Sequence, residues 1–468
     1  MRSLVIRGAE VEGLVADVRV VRDRVVAVAP HLVPHRDDEV VSGGGAALLP
    51  GLHDHHIHLL ALAASKSSVD VGLPGVRDRE GLAAVLRAAD SRLPAGAWLR
   101  AVGYHEGPGV DLDARTLDEI VPGRMVRIQH RSGALWILSS AAVRATRLAD
   151  AGDLTGIERR RDGSPTGRVW RLDGWLRDRL PPEPLDIAGV SVALLRYGTT
   201  SVTDATPTED ASSLRLLADA VQRGELLPRV VVTGGVGLAN DEIGGLERGP
   251  VKLVLSDHEP LVLDALLAGV EAARAAARPV AVHCVTAAAV ALTIAALEEL
   301  GSHPGDRIEH GAVMPLALAQ RIAALGVTVV TNPGFVAERG DQYLTDVEPD
   351  ELADLWRCRS LLDAGVSVGA GTDAPFASPN PWAAMGAAVD RRTSAGATLG
   401  AGERLGQRRA LSLFLAPLGQ PGGGPRTVEP GAAADLCLLR TPLAEALGDL
   451  GSVRVAATVV RGEVHLWP

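Results

Sequence analysis

The sequence predicts an α/β protein in which a parallel sheet is accompanied by a smaller β domain drawn from the two chain ends. Three observations lead there. Apolar strand, polar turn and alanine- or leucine-rich helix alternate in units of roughly 30 residues through the middle of the chain. Valine-rich segments with period-two alternation occupy both ends. The 468 residues, 47% of them hydrophobic, exceed one minimal domain and suffice to bury a large core.

Residues 3 to 49 read as short strands, Leu4 to Arg7, Ala16 to Val21 and Arg24 to Val28, closed by Gly43-Gly44-Gly45. Alternation broken by turn residues predicts a small antiparallel sheet. After the break at Gly422-Gly423-Gly424-Pro425 come Ala434 to Leu439, Ala456 to Arg461 and Val464 to Trp467, and nearby termini let both sets join one domain. Between them, strands are expected at Thr199 to Thr203, Val230 to Thr233, Val251 to Leu255, Val280 to Val285, Arg307 to His310, Val327 to Thr331 and Val366 to Ala370. Helices Leu261 to Ala277 and Ala287 to Leu300 separate some of them. So many βα units imply either a closed (β/α)8 barrel or a large doubly wound sheet. Residues 60 to 190 break the rhythm, with turns at Gly107-Pro108-Gly109 and Asp162-Gly163-Ser164-Pro165, and read as an insertion. The expected domains are 1–49 with 422–468, and 50–421 interrupted by the inserted region of about 60–190.

A net charge of −10 argues against a nucleic-acid or anionic-membrane surface, which needs clustered positive potential. No run of eighteen apolar residues occurs, and the amino terminus mixes charge with valine instead of building a signal segment. The expectation is a cytoplasmic protein with a small-molecule substrate, no nucleic-acid or membrane partner, and a homodimer as the candidate assembly. Cys284, Cys358 and Cys437 show no CxxC spacing, which excludes a disulfide framework or a thiolate zinc cage.

The densest chemistry lies in Pro50-Gly51-Leu52-His53-Asp54-His55-His56-Ile57-His58. On a strand, Asp54, His56 and His58 share one side while His55 and Ile57 face away, and two imidazoles at this spacing can hold a metal ion. His283 ends the apolar strand Pro279-Val280-Ala281-Val282, His310 ends Arg307-Ile308-Glu309 and Asp373 follows Val366 to Thr372, so in a barrel these groups converge on the mouth at the strands' carboxyl ends. Of 47 basic residues only Lys66 and Lys252 are lysines. Lys66 sits in a polar serine run, whereas Lys252 interrupts an apolar strand, where burial favours the neutral amine that can react with carbon dioxide to give a carbamate. His53, His55 and His258 flank these positions and are read as supporting groups; His31, His35, His303 and His465 are read as surface histidines. Strand parity turns Cys284 away from His283's side, as a buried thiol.

The ordered set of PG-x-x-D-x-H-x-H, strand lysine, two strand-end histidines and the aspartate of Gly371-Thr372-Asp373 resembles the amidohydrolase superfamily, in particular the amidohydrolase 3 branch that includes N-substituted formamide deformylases. Gly163 to Gly167, Gly198 to Asp204 and the terminal Pro430-Gly431-Ala432-Ala433-Ala434-Asp435-Leu436 extend the likeness over nearly the whole chain. The resemblance implies a (β/α)8 TIM barrel with a β-sandwich from both termini and an insertion after the first strand. It implies two divalent metal ions, most simply Zn2+: His56 and His58 on the more buried one, His283 and His310 on the other, carbamylated Lys252 between them, and Asp373 as ligand and proton shuttle. The implied reaction is hydrolysis of a linear amide-type C–N bond, N-acyl or N-formyl, by metal-activated hydroxide. Cyclic-amide hydrolases and deaminases share the scaffold, but the deaminases usually carry a glutamate three residues after the third histidine, where this chain has Thr286. A non-catalytic relative is expected to lose ligands, and all six candidates are present.

Overall fold

The computed structural model describes residues 3–73, 75–105, 111–152, 154–181, 185–207, 211–238, 244–255 and 260–468. The Gly107-Pro108-Gly109 turn and His258 lie outside the described residues. Two compact units emerge, one of Met1–Leu59 with Ile187–Pro468, the other of Leu60–Asp186.

In the first unit the chain ends build two four-stranded sheets. One runs Arg24–Ala29, Leu14–Val21, Ser3–Val11, Asp38–Ser42. The hairpins are antiparallel as the alternation predicts, but Asp38–Ser42 pairs parallel to Ser3–Arg7, so the sheet is mixed. The crossing segment that permits this is tethered by Asp17, whose carboxylate accepts the Gly8 and Leu32 amides at 2.8 Å each. The other sheet runs Glu463–Leu466, Val455–Val460, Leu436–Leu439, Leu48–Pro50. Antiparallel pairing of Leu436 with Pro50 thereby joins the carboxyl-terminal strands to the segment just ahead of the histidine cluster. Leu4, Ile6 and Val18 from one sheet and Leu436, Leu438 and Val459 from the other close a single apolar core. Each such side chain, fully buried, contributes about 1.5–3 kcal/mol.

The same unit holds two parallel sheets. One runs Leu52–Ile57, Thr199–Asp204, Arg229–Val232, Glu247–Arg248; the other runs Val251–Val254, Val280–Cys284, Arg307–His310, Thr328–Thr331, Ser367–Ala370. Valine-rich strands such as Arg229–Val232 and Val280–Cys284 are largely apolar along their length because both faces are covered, whereas Leu52–Ile57, Thr199–Asp204 and Arg307–His310 carry polar side chains into the buried interior. The Lys252 amide donates to Gly234 O at 2.9 Å and the Asp373 amide to His56 O at 2.7 Å, linking segments of the two sheets at both edges. Helix Ala287–Leu300 begins where the sequence placed it, because Thr286 caps it by accepting the Ala289 amide at 3.2 Å. That is the work done by the residue standing where deaminases carry their glutamate.

The second unit is a six-stranded mixed sheet, ordered Ile157–Arg159, Pro165–Trp170, Leu135–Leu138, Val126–His130, Leu99–Tyr104, Val69–Asp70. Helices Arg79–Asp90 and Ala114–Ile120, capped by Asp78 and Asp113, place Leu82, Leu86 and Leu117 in its core. Among the described residues no helix is long and apolar enough to cross a membrane. All three cysteines are buried and unbridged.

Candidate metal centre

Parallel register lines up the strand ends that bear the candidate residues. Lys252 pairs with Ala281, Val254 with His283, and Cys284 with His310. On the first strand His56 is 1% exposed, and His58 follows directly after the strand ends at Ile57. The loop after Ser367–Ala370 presses against that strand: a Cβ on Gly371 would lie 2.5 Å from the His56 Cβ, so this approach requires glycine. His310 (φ 69°) and Asp373 (φ 59°) both adopt the left-handed conformation, which costs about 1–3 kcal/mol per residue and is concentrated at functional sites.

The four histidine rings form one chain. His58 and His56 centroids lie 5.3 Å apart, His56 and His310 4.6 Å, and His310 and His283 4.6 Å. Asp373 Oδ1 is 3.1 Å from His58 Nε2 and 3.5 Å from His56 Nε2. His56, His310 and Asp373 can offer one ligand atom each, all within 4.8 Å of one another. The tightest trio thus joins His310 to His56, where the resemblance groups His56 with His58.

Protonation favours metal binding. Burial, followed by the Lys252 charge, brings the His56 pKa down to about 3, and burial also lowers that of His310, so both rings are neutral ligands at pH 7. Burial lowers the Lys252 amine, although Glu309 and Asp373 pull it upward. Burial pushes Asp373 upward, but the His56, His58 and His310 rings outweigh it and hold this carboxyl below its ordinary range. His56 Nε2 and Lys252 Nζ are enclosed without any hydrogen-bond partner among the described residues. Two orphaned nitrogens with a carboxylate and neutral imidazoles suit a cation with nitrogen and oxygen ligands.

Several groups that shape the site escaped the sequence reading. Glu309, fully buried, contacts His56 Nδ1, and Arg307 Nε lies 2.5 Å from its other oxygen. Two charged residues flanking Ile308 on a fully buried strand that ends at His310 were the available signal. Asn332 Oδ1 meets His310 Nδ1 at 2.8 Å, and Thr206 Oγ1 meets His58 Nδ1 at 3.1 Å. Asp54 turns its carboxylate to the Asp373 loop, accepting the Thr372 amide at 2.9 Å and the His56 amide at 3.1 Å, and burial raises its pKa to about 7. His53 bonds Ser201 and Thr203, and its ring lies 4.3 Å from that of His55. Cys284 is fully buried 3.2 Å from Thr293 Oγ1. His465, read as a surface residue, is half-buried with Nε2 enclosed because its ring stacks against Trp467.

Comparison with known proteins places these features in context. Over 484 aligned residues the chain is 26% identical to an N-substituted formamide deformylase of Arthrobacter pascens, covering 91% of this chain and 89% of that protein. It is 25% identical to YtcJ of Bacillus subtilis (strain 168), covering 76% of each. The crystal structure of a metal-dependent hydrolase from Pyrococcus horikoshii superposes with a TM-score of 0.70 at 19% identity, over 93% of this chain and 96% of that one. The amidohydrolase family profile matches residues 39–465, nearly the entire chain, and the protein is therefore a hydrolase that belongs to the amidohydrolase family.

Proposed function

We propose that the protein is a metal-dependent hydrolase of linear amide-type C–N bonds, with N-formyl or N-acyl amines as substrates. The observation that carries this reading is buried, unpartnered His56 Nε2 3.5 Å from the Asp373 carboxylate, with the equally unpartnered Lys252 Nζ within electrostatic reach of both. The 26% identity to a formamide deformylase over nine-tenths of the chain supports the N-formyl class. In this reading the four- and five-stranded parallel sheets, without the two-residue edge strand Glu247–Arg248, are two arcs of one (β/α)8 barrel, the terminal sheets are its β-sandwich, and residues 60–190 are its inserted region. His56, His58, His283, His310 and Asp373 would hold two divalent ions, most simply zinc, and Lys252, as a carbamate, would supply them a further oxygen ligand.

Such ions, when bound, polarise a carbonyl and bring the pKa of water to about 7 in favourable cases. Asp373, ionised at neutral pH, takes the proton from the attacking water at one carboxylate oxygen and returns it to the departing amine nitrogen. The neutral His56 and His310 rings keep their lone pairs for ligation instead of competing for that proton. Phe376, whose ring centroid lies 5.4 Å from that of His58, borders the site with an apolar surface that suits the hydrocarbon part of an amine.

The test is zinc reconstitution of the metal-stripped chain, followed by a panel of N-substituted formamides, N-acyl amines, cyclic amides and aminotriazines. Release of formate or another short acid from the linear amides supports the proposal. A chain that takes up no divalent metal, or turns over only the cyclic or aminated compounds, overturns it.

A further inference from the structure

We propose that Glu309 is a positioning residue for metal binding: from behind His56 it fixes the imidazole tautomer in which Nδ1 carries the proton and Nε2 faces the site. The inference rests on the metal-dependent reading above and adds a residue that the six candidate ligands do not include. A carboxylate can only accept a hydrogen bond, so its contact with His56 Nδ1 places the proton there and leaves the lone pair on Nε2. Arg307, two residues earlier and on the same side of the strand, sets its Nε 2.5 Å from the second Glu309 oxygen as an ion pair, and its charge favours the carboxylate form. His56 Nε2 then lies 3.5 Å from Asp373 without hydrogen-bonding to it.

The neighbouring rings show what is particular to His56. His310 Nδ1 meets Asn332 Oδ1 at 2.8 Å, and Asn332 Nδ2 donates to Gly371 O at 3.0 Å, which fixes the amide orientation and makes His310 present Nε2 as well. His58 Nδ1 is met by the Thr206 hydroxyl. All three rings are held through Nδ1; of the three, His56 is the one hydrogen-bonded there to a carboxylate, whereas His310 Nδ1 bonds an amide and lies 3.9 Å from Asp373 Oδ2, and a carboxylate bonded behind a ligating imidazole raises its basicity. His56 is thereby the principal anchor of the buried metal position, and the Arg307–Glu309–His56 array sets its affinity.

The experiment is a competition titration of metal-stripped full-length chain with Zn2+ against a chromophoric chelator, comparing wild type, Glu309→Gln and Asn332→Ala. Thermal unfolding of each metal-free form reports whether it is folded, and the visible spectrum of the Co2+ form reports ligand geometry. Glu309→Gln is expected to weaken the tightest Zn2+ site by about 10- to 100-fold and to alter the Co2+ spectrum, with a smaller effect for Asn332→Ala. Because Glu309→Gln leaves Arg307 without its anion, the double variant Arg307→Met with Glu309→Gln supplies a neutral pair for the same measurement. Wild-type Zn2+ affinity and an unchanged Co2+ spectrum in these Glu309 variants overturn the inference while leaving the proposed function intact. A wild-type chain that binds no divalent metal overturns both.

Discussion

Replacing Lys252 by methionine should raise stability and abolish turnover in the same molecule. The lysine is 6% exposed and its Nζ has no hydrogen-bond partner, so in the metal-free chain it is a desolvated donor without compensation. A buried polar group left unsatisfied costs about 1–3 kcal/mol, and methionine fills a similar volume without a donor. Attraction from Glu309 and Asp373 offsets part of the penalty while Arg307 adds to it, which places the expected gain near the lower end of that range. Metal-free Lys252→Met should therefore unfold at a higher temperature than metal-free wild type. Turnover of an N-substituted formamide should vanish, because a thioether cannot form a carbamate, and Lys252→Arg should lose most of it despite keeping the charge. The assay pairs a thermal unfolding midpoint on stripped protein with kcat/KM on reconstituted protein. A Lys252→Met midpoint several degrees below wild type would falsify the unpaired-amine premise, and near-wild-type turnover in Lys252→Arg would refute the bridging role.

Two further predictions concern the fold around the site. Acid should destabilise the metal-free chain early, because His56 falls from 6.5 to about 3 on folding and His53, His55 and His310 are also lowered. The unfolded chain then binds more protons, so stability is fully present above about pH 6.5 and declines as pH falls below it; a midpoint that stays level from pH 8 to pH 5 contradicts this. Gly198→Ala should be destabilising by about 2–4 kcal/mol, since φ is +80° and a Cβ would lie 2.3 Å from Cys437 Sγ. An unchanged unfolding midpoint in that variant would show that the strand Thr199–Asp204 is not packed against Cys437 in this way.

Much of this architecture was legible in local pattern. Strand Arg307–His310 and helix Ala287–Leu300 were placed to the residue, because the repeating strand–turn–helix rhythm and a threonine cap are signals carried by nearby positions. The terminal strands were legible by alternation, but the parallel return of Asp38–Ser42 was not, since it depends on Asp17 gripping a loop fifteen residues downstream. The six candidate ligands could be named by residue type and by position at strand ends. The groups behind them, Glu309, Asn332 and Thr206, could not, and Asp54, legible in the histidine motif, turns its carboxylate to the Asp373 loop.

The amino-acid order by itself determined the alternation of strand and helix, the buried lysine and the histidine spacing, because each follows from side-chain chemistry and the short repeat of regular structure. Only the tertiary structure decided that His310 packs beside His56, that Gly371 admits the Asp373 loop against the first strand, and that a buried Arg307–Glu309 pair stands behind one imidazole. The physical reason is that a hydrogen bond or an ion pair between residues 56 and 309 leaves no periodic trace in the chain. It exists only once the intervening strands and helices have brought the two strand ends together and excluded water from between them.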